Sequence, residues 1–277
     1  MPTEFINVTQ DGRTIIPVKD ATWMGSFGVE VADGNVPGYT RINKTGWNDS
    51  VGSATYEPIN EASAYPTPSV LTSLEILSSS VNDAAGGSGA QSVGIQGVGT
   101  GWADEGELVE LNGTTPVPLA NQYYRIDELF CQAVGTYQST TALPNDGVIT
   151  LREAGGGPTW AQIKVIDGLG GAGAEQVGAY TIRAGQVGFL NSVFISIDTN
   201  QSASLILMVR SGADVVGPSF VASRSTPFEG MVGTSLFKPV TPVGAITGPS
   251  DLIFMVRADQ GSASVTINIE IIVKDRD

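Results

Sequence analysis

Ser264-Val265-Thr266-Ile267-Asn268-Ile269-Glu270-Ile271-Ile272-Val273-Lys274 is the stretch that decides the fold. Val265, Ile267, Ile269, Ile271 and Val273 recur at every second position and share one face. Thr266, Asn268, Glu270 and Lys274 take the other, which is the pattern of a strand buried on one side. The same alternation returns upstream in Leu205/Leu207/Val209, in Leu252/Phe254/Val256 and in Val70/Thr72/Leu74/Ile76. Val187, Phe189, Val193, Ile195 and Ile197 are also read as one face. Arg125 to Val134 fits helical spacing as well, but it lies between strand signals and stops at Gly135, which favours a strand. No long helix is predicted. Short strands separated by Gly, Asp, Asn and Pro turns predict an all-β chain, an antiparallel β-sandwich of jelly-roll type.

Turn signals set the connections. Asn112-Gly113 is read as a hairpin turn after Glu107 to Leu111, and Asp11-Gly12 as the turn of a short N-terminal hairpin. The best boundary is Tyr65-Pro66-Thr67-Pro68, because residues preceding proline stay extended. Residues 66–277 are therefore read as the β-sandwich body. Residues 1–65 are read as an extended arm carrying that hairpin, with short segments such as Val29 to Val31 and irregular chain elsewhere. The arm holds Trp23 and Trp47, whose large apolar surface needs a place to be buried. Packing on the body or on a neighbouring subunit would supply one.

Composition limits the function. With 28 acidic and 14 basic residues the net charge is −14, which opposes direct contact with nucleic acid or an anionic membrane. No apolar run approaches the ~18 residues that span a bilayer, and Met1-Pro2-Thr3-Glu4-Phe5 lacks the features of a secretory leader. Histidine is absent, which removes Ser-His-Asp, Cys-His and His-ligated metal chemistry from the options within this chain. The one cysteine, Cys131, sits in an apolar run and is read as a small buried hydrophobe.

The remaining motifs are weak. Gly168-x-Gly170-x-x-Gly173 has dinucleotide-binding spacing after a strand, but no helix pattern follows it, so it is read as an interstrand loop. Asp83, Asp104, Glu105 and Glu107 could offer oxygens to Ca²⁺, and are read instead as solvated acidic loops. The carboxylate pairs Asp104/Glu107 and Asp127/Glu128 are the only catalytic option left, that of a glycosidase. No catalytic, cofactor-binding or metal residue is assigned. Trp23, Trp47 and Trp102 are the interaction candidates, Trp102 because an aromatic platform can stack on sugar, although a buried or interface tryptophan is the commoner case.

Leu71-Thr72-Ser73-Leu74-Glu75-Ile76, Ser78-Ser79-Ser80-Val81-Asn82-Asp83 and Gly86-Gly87-Ser88-Gly89-Ala90 resemble virion structural proteins of marine and cyanobacterial tailed bacteriophages. Val109 to Val117, Tyr124-Arg125-Ile126 and Tyr180 to Gln186 extend the resemblance over residues 70–200. It implies a virion location, no cofactor and no enzymatic activity. The implied role is a capsid decoration or cement protein bound to the major capsid protein or other virion proteins, as a homo-oligomer, in particular a trimer. The alternative is a head- or tail-fibre appendage whose loops 82–89 and 99–106 touch host-surface glycan.

Overall fold

A computed structural model describes residues 8–10, 13–15, 27–135, 144–166, 170–171, 173–175, 177–198, 200–216, 219–237 and 243–276. In chain order its elements are β1 (Val8–Gln10), β2 (Arg13–Ile15), helix α1 (Phe27–Ala32), β3 (Tyr39–Gly52), β4 (Glu57–Pro58), β5 (Thr72–Ser78) and β6 (Ala90–Val98). Then come β7 (Asp104–Glu110), β8 (Val117–Tyr123), β9 (Arg125–Val134), β10 (Ile149–Glu153), β11 (Thr159–Ile163), β12 (Val165–Ile166) and β13 (Gly170–Gly171). The chain closes with β14 (Ala179–Ile182), β15 (Gln186–Ile197), β16 (Ala203–Ser211), β17 (Val221–Met231), β18 (Thr234–Phe237), β19 (Val243–Thr247), β20 (Ser250–Ala258) and β21 (Ser262–Asp275). Every strand pair is antiparallel.

The deciding stretch is the inner strand β21, flanked by β15 and β3 over almost its whole length. Val265, Ile267, Ile269, Ile271 and Val273 are each at most 2% exposed, and full burial of such side chains stabilises by about 1.5–3 kcal/mol apiece. Facing them across the core are Leu205, Leu207, Leu252, Phe254 and Val256 of the second sheet. The first sheet runs β18-β15-β21-β3, with β19 also on β15. The second runs β14-β20-β16-β17, with β4 also on β20.

β4 and β14 lie end to end along β20, which they pair at Met255–Val256 and at Ser250–Ile253. They are two pieces of one strand. Taking each of β4/β14 and β18/β19 as a single strand, and counting along the chain, the sheets read 1-8-3-6 and 2-7-4-5. That is the strand order of a jelly roll, two Greek keys wrapped face to face. The all-β, jelly-roll expectation therefore holds.

Between the two pieces of the broken strand the chain builds a second sandwich. Its sheets are β11-β10-β5-β8 and β7-β6-β9. They enclose a separate core that includes Leu74, Ile76, Val93, Ile95, Leu129, Ile149, Leu151 and Trp160. The body thus holds two cores, one inserted in the other. Gly178 N donates to Ile59 O at 2.8 Å where the chain leaves and rejoins the jelly roll. Gly46 of β3 lies against this crossover, and a Cβ there would sit 2.3 Å from Ile59 O and 2.5 Å from Gly178 N.

Several local expectations change. Residues 39–59, read as arm, instead supply the edge strand β3, the strand piece β4 and the buried core residues Val51 and Ile59. Polar residues alternate poorly along β3, so its pairing with β21 was not visible in its own sequence. Val29–Val31, read as a short periodic segment of the extended arm, belongs to α1, which ends in a Schellman cap. Asn35 N bonds to Glu30 O and Gly34 N to Val31 O, with Gly34 at φ +74°, and this αL cap outweighs the β preference of valine. Asn112-Gly113 makes no hairpin, because β7 and β8 belong to different sheets. Only Gly113 has positive φ, whereas the expected turn needs it at both positions. In β15 the pairing shifts between Leu190 and Ser192. This bulge turns Leu190, Val193, Ile195 and Ile197 inward and leaves Val187 and Phe189 on the other face. Arg125–Val134 is strand, as favoured.

Candidate functional site

The chemistry-bearing side chains gather where the two sandwiches meet. Arg125 opens β9 of the inserted sandwich, and Asp251 lies in β20 of the jelly roll; both side chains are 0% exposed. Arg125 Nε and Nη2 donate to Asp251 Oδ1 and Oδ2, both at 2.8 Å, a two-pronged clamp. Arg125 Nη1 also donates to Pro68 O at 2.7 Å and to Tyr124 O. Arg210 of β16 adds a donor to Asp251 Oδ2 at 2.9 Å, and Thr181 of β14 donates its hydroxyl to Oδ1 at 2.8 Å. The Tyr65 hydroxyl is 3.2 Å from that of Thr181. Burial first, and then the negative charges of Asp251 and Asp127, hold this phenol above its ordinary range.

A second clamp lies beside the first. Arg183 donates from Nε to Asp104 Oδ1 at 2.8 Å and from Nη2 to Asp127 Oδ2, and its guanidinium covers the Tyr180 ring at 4.9 Å. It joins the end of β14 to β7 and β9 across the junction. A cleft at this rim is lined by Gln96, Asp104, Glu105, Asp127 and Arg183 among others. Arg183, the cation in this lining, is already engaged by Asp104 and Asp127, and Glu105 accepts from Asn121 Nδ2 at 3.0 Å.

Trp102 is the wedge between these parts. It is 7% exposed and packs with Val98 of the insert and Ala213 of the jelly roll. Its ring stacks on Tyr124 with centroids 4.3 Å apart, and the Arg125 guanidinium lies 5.2 Å from the ring centre. Its backbone sits at φ +60°, a strained setting for a bulky residue that the surrounding packing has to hold. Ala184 N reaches Trp102 O at 3.3 Å. Trp47 lies on the outer face of β3, half-buried, with Nε1 3.4 Å from Ser264 Oγ. Trp23 lies outside the described residues.

The candidate carboxylate pairs do not form. Asp104 and Glu107 are three apart on β7 and so project to opposite faces. Asp127 is buried while its neighbour Glu128 is exposed. Glu107 accepts from Tyr123 Oη at 3.0 Å and from the Ala120 and Asn121 amides. Asp83, read as a solvated loop acid, is fully buried. Ser78 Oγ and the Ala90, Asp146 and Gly147 amides all donate to it, which fixes loop 78–90. No cluster of three or more potential metal-ligating side chains occurs among the described residues. In the Gly168–Gly173 motif, Gly170 and Gly171 pair with β12 as a ribbon, and the described chain after it is β structure. Cys131 is half-buried and burial pushes its thiol up to about 12.

Sequence reasoning missed Arg125, Asp127, Arg183, Arg210 and Asp251 as a group. The available signal was the presence of arginines and aspartates at inward positions of otherwise apolar strands.

No protein-family model and no curated protein matches the chain. Solved structures that overlap it include the VP2 subviral particle of infectious bursal disease virus, at 12% identity over 90% of this chain and 82% of that chain, with a TM-score of 0.19. The STIV MCP overlaps at 8% identity, 83% and 96% coverage and a TM-score of 0.20. The insecticidal delta-endotoxin Cry8Ea1 from Bacillus thuringiensis does so at 10% identity, 84% and 60% coverage and a TM-score of 0.19. Viral capsid proteins recur among these neighbours, but overlaps this slight, shared with a toxin, carry no argument about function.

Proposed function

We propose that this chain is a non-enzymatic structural protein of a bacteriophage virion, a decoration or cement subunit that binds the major capsid lattice, as a trimer. The observation that supports it most is the architecture: a jelly roll carrying a second sandwich in its broken strand, the two joined by buried ionic clamps. Such a body presents two β modules in a set relation, which suits a repeated surface position. Jelly rolls occur in viral capsids and in lectins, so the fold supports the reading by analogy only. The separation of Asp104 from Glu107, and of Asp127 from Glu128, supports the non-enzymatic part.

The fibre-appendage alternative relies on an aromatic platform for host glycan, and Trp102 is occupied within the chain. Quantitative mass spectrometry of purified particles tests the reading. Hundreds of copies per particle, together with a rise in capsid melting temperature on adding the purified protein, are expected. A few copies would favour the appendage, and absence from particles would overturn both. Sedimentation of the free protein as a monomer at micromolar concentration would remove the trimer.

A further inference from the structure

The neck between the two sandwiches consists of two chain segments, and each carries a buried glutamate. Asn60 and Val177 form an antiparallel bridge there, next to the Ile59–Gly178 hydrogen bond. Glu61 follows Asn60 and is 2% exposed; Glu175 precedes Val177 by two residues and is 4% exposed. Glu61 Oε2 accepts from Lys164 N at 2.7 Å. Glu61 Oε1 has no hydrogen-bond partner, and neither carboxyl oxygen of Glu175 has one of good geometry, the Gln162 and Ala62 amides making loose contacts at most. A buried carboxylate left in that condition is costly, and a group in this position takes up a proton instead.

The surrounding charges do not neutralise the pair. From β3 come Lys44 and Asp49, and from the β11–β12 link comes Lys164. The Lys164 ammonium is tied to Asp49 at 2.8 Å, and the Lys44 ammonium donates to the backbone carbonyl of Asp127 in β9. The peptide groups of Gln162 and Ala62 also act on Glu175. β9 meets Glu175 through Leu129 O, which accepts from Glu175 N at 2.8 Å.

We propose that Glu61 and Glu175 form a proton-operated lock on this neck. With protons taken from solvent the two buried carboxyls carry no charge, and the two segments stay paired. When both are ionised, repulsion and the need for water part the two segments locally at the neck, while the arginine clamps still hold the sandwiches together.

Burial pushes Glu61 up to about 7, with the Lys164 amide and ammonium pulling the other way. Glu175 is raised well above the usual range by burial and then by the charge of Glu61. Both folded values exceed the ordinary 4.5. The contribution to stability is thus complete below pH 4.5 and declines as pH rises through about 7 and beyond.

Hydrogen exchange of the full chain, read by mass spectrometry on peptides covering 57–63 and 173–179, tests the lock. After correction for intrinsic exchange, opening of these peptides should increase at least about tenfold between pH 5 and pH 8.5, since each tenfold fall in an acid dissociation constant on folding changes the equilibrium by up to roughly tenfold. The β17 peptide, at the opposite edge of its sheet from β14, should stay flat. Glu175→Gln and Glu61→Gln should each reduce the pH response to about twofold or less. A pH-flat wild-type neck overturns the proposal, whatever the variants do. So does protection at pH 8.5 that returns with millimolar Ca²⁺ and vanishes with a chelator, because the pair would then be a cation site.

Discussion

Asp251→Asn is the substitution that weighs the junction most directly. The side chain changes little in volume, but one acceptor oxygen becomes an NH₂ that faces guanidinium donors. Asp251 is the carboxylate for both Arg125 and Arg210. Arg125 would remain at 0% exposure with neutral acceptors alone, the amide oxygen of residue 251 and the Pro68 and Tyr124 carbonyls, and no carboxylate. Arg210, at 12% exposure, can still reach water. Breaking a buried pair from one side costs about 3–5 kcal/mol, because the charge left behind is unpaired. At roughly 2–4 °C per kcal/mol for a chain of this size, the melting temperature should fall by about 6–20 °C. Differential scanning fluorimetry reads this, with Trp102 beside Arg125 as a local probe. The double variant Arg125→Met/Asp251→Leu should lose less than the single one, since the fully buried cation leaves together with its carboxylate and only Arg210, which reaches water, is left without it. A drop under about 2 °C for Asp251→Asn, or equal losses for single and double variants, would refute the account of the junction as an ionic clamp.

Gly46→Ala should destabilise by about 1–3 kcal/mol, the usual range for overpacking, because its Cβ would meet backbone atoms of Ile59 and Gly178 that cannot turn aside; an unchanged denaturant midpoint would argue against that close approach. A fragment of residues 60–177 should fold cooperatively alone, since it owns a core and its ends meet at the neck; one-dimensional NMR without methyl dispersion would show that it depends on the jelly roll. Cys131 should react slowly with a disulfide reagent at pH 8 in the native protein and fast in denaturant, because burial pushes its thiol up to about 12; equal rates would contradict that environment. Far-ultraviolet circular dichroism should show a β spectrum with little helix, and a third or more helix would overturn the fold.

β21 shows how much of the fold is local. Its five alternating apolar residues fit only a strand with one buried face, so the β class and the one-sided core follow from spacing alone. The same holds for β16 and β20 and for the chemistry that absent histidine removes. The limits are equally physical. The bulge in β15 reverses which side chains face the core, and it arises from pairing with β21 rather than from residue types within β15. β3 reads as irregular because, among the described residues, its ladder is made with a partner more than two hundred residues away. The broken strand, the inserted sandwich and the neck that holds Glu61 near Glu175 depend on which distant segments align along β20. Arg125 and Asp251 are separated by 126 positions. A periodic pattern reports the environment of one segment, whereas their clamp exists only once two sandwiches have been packed together.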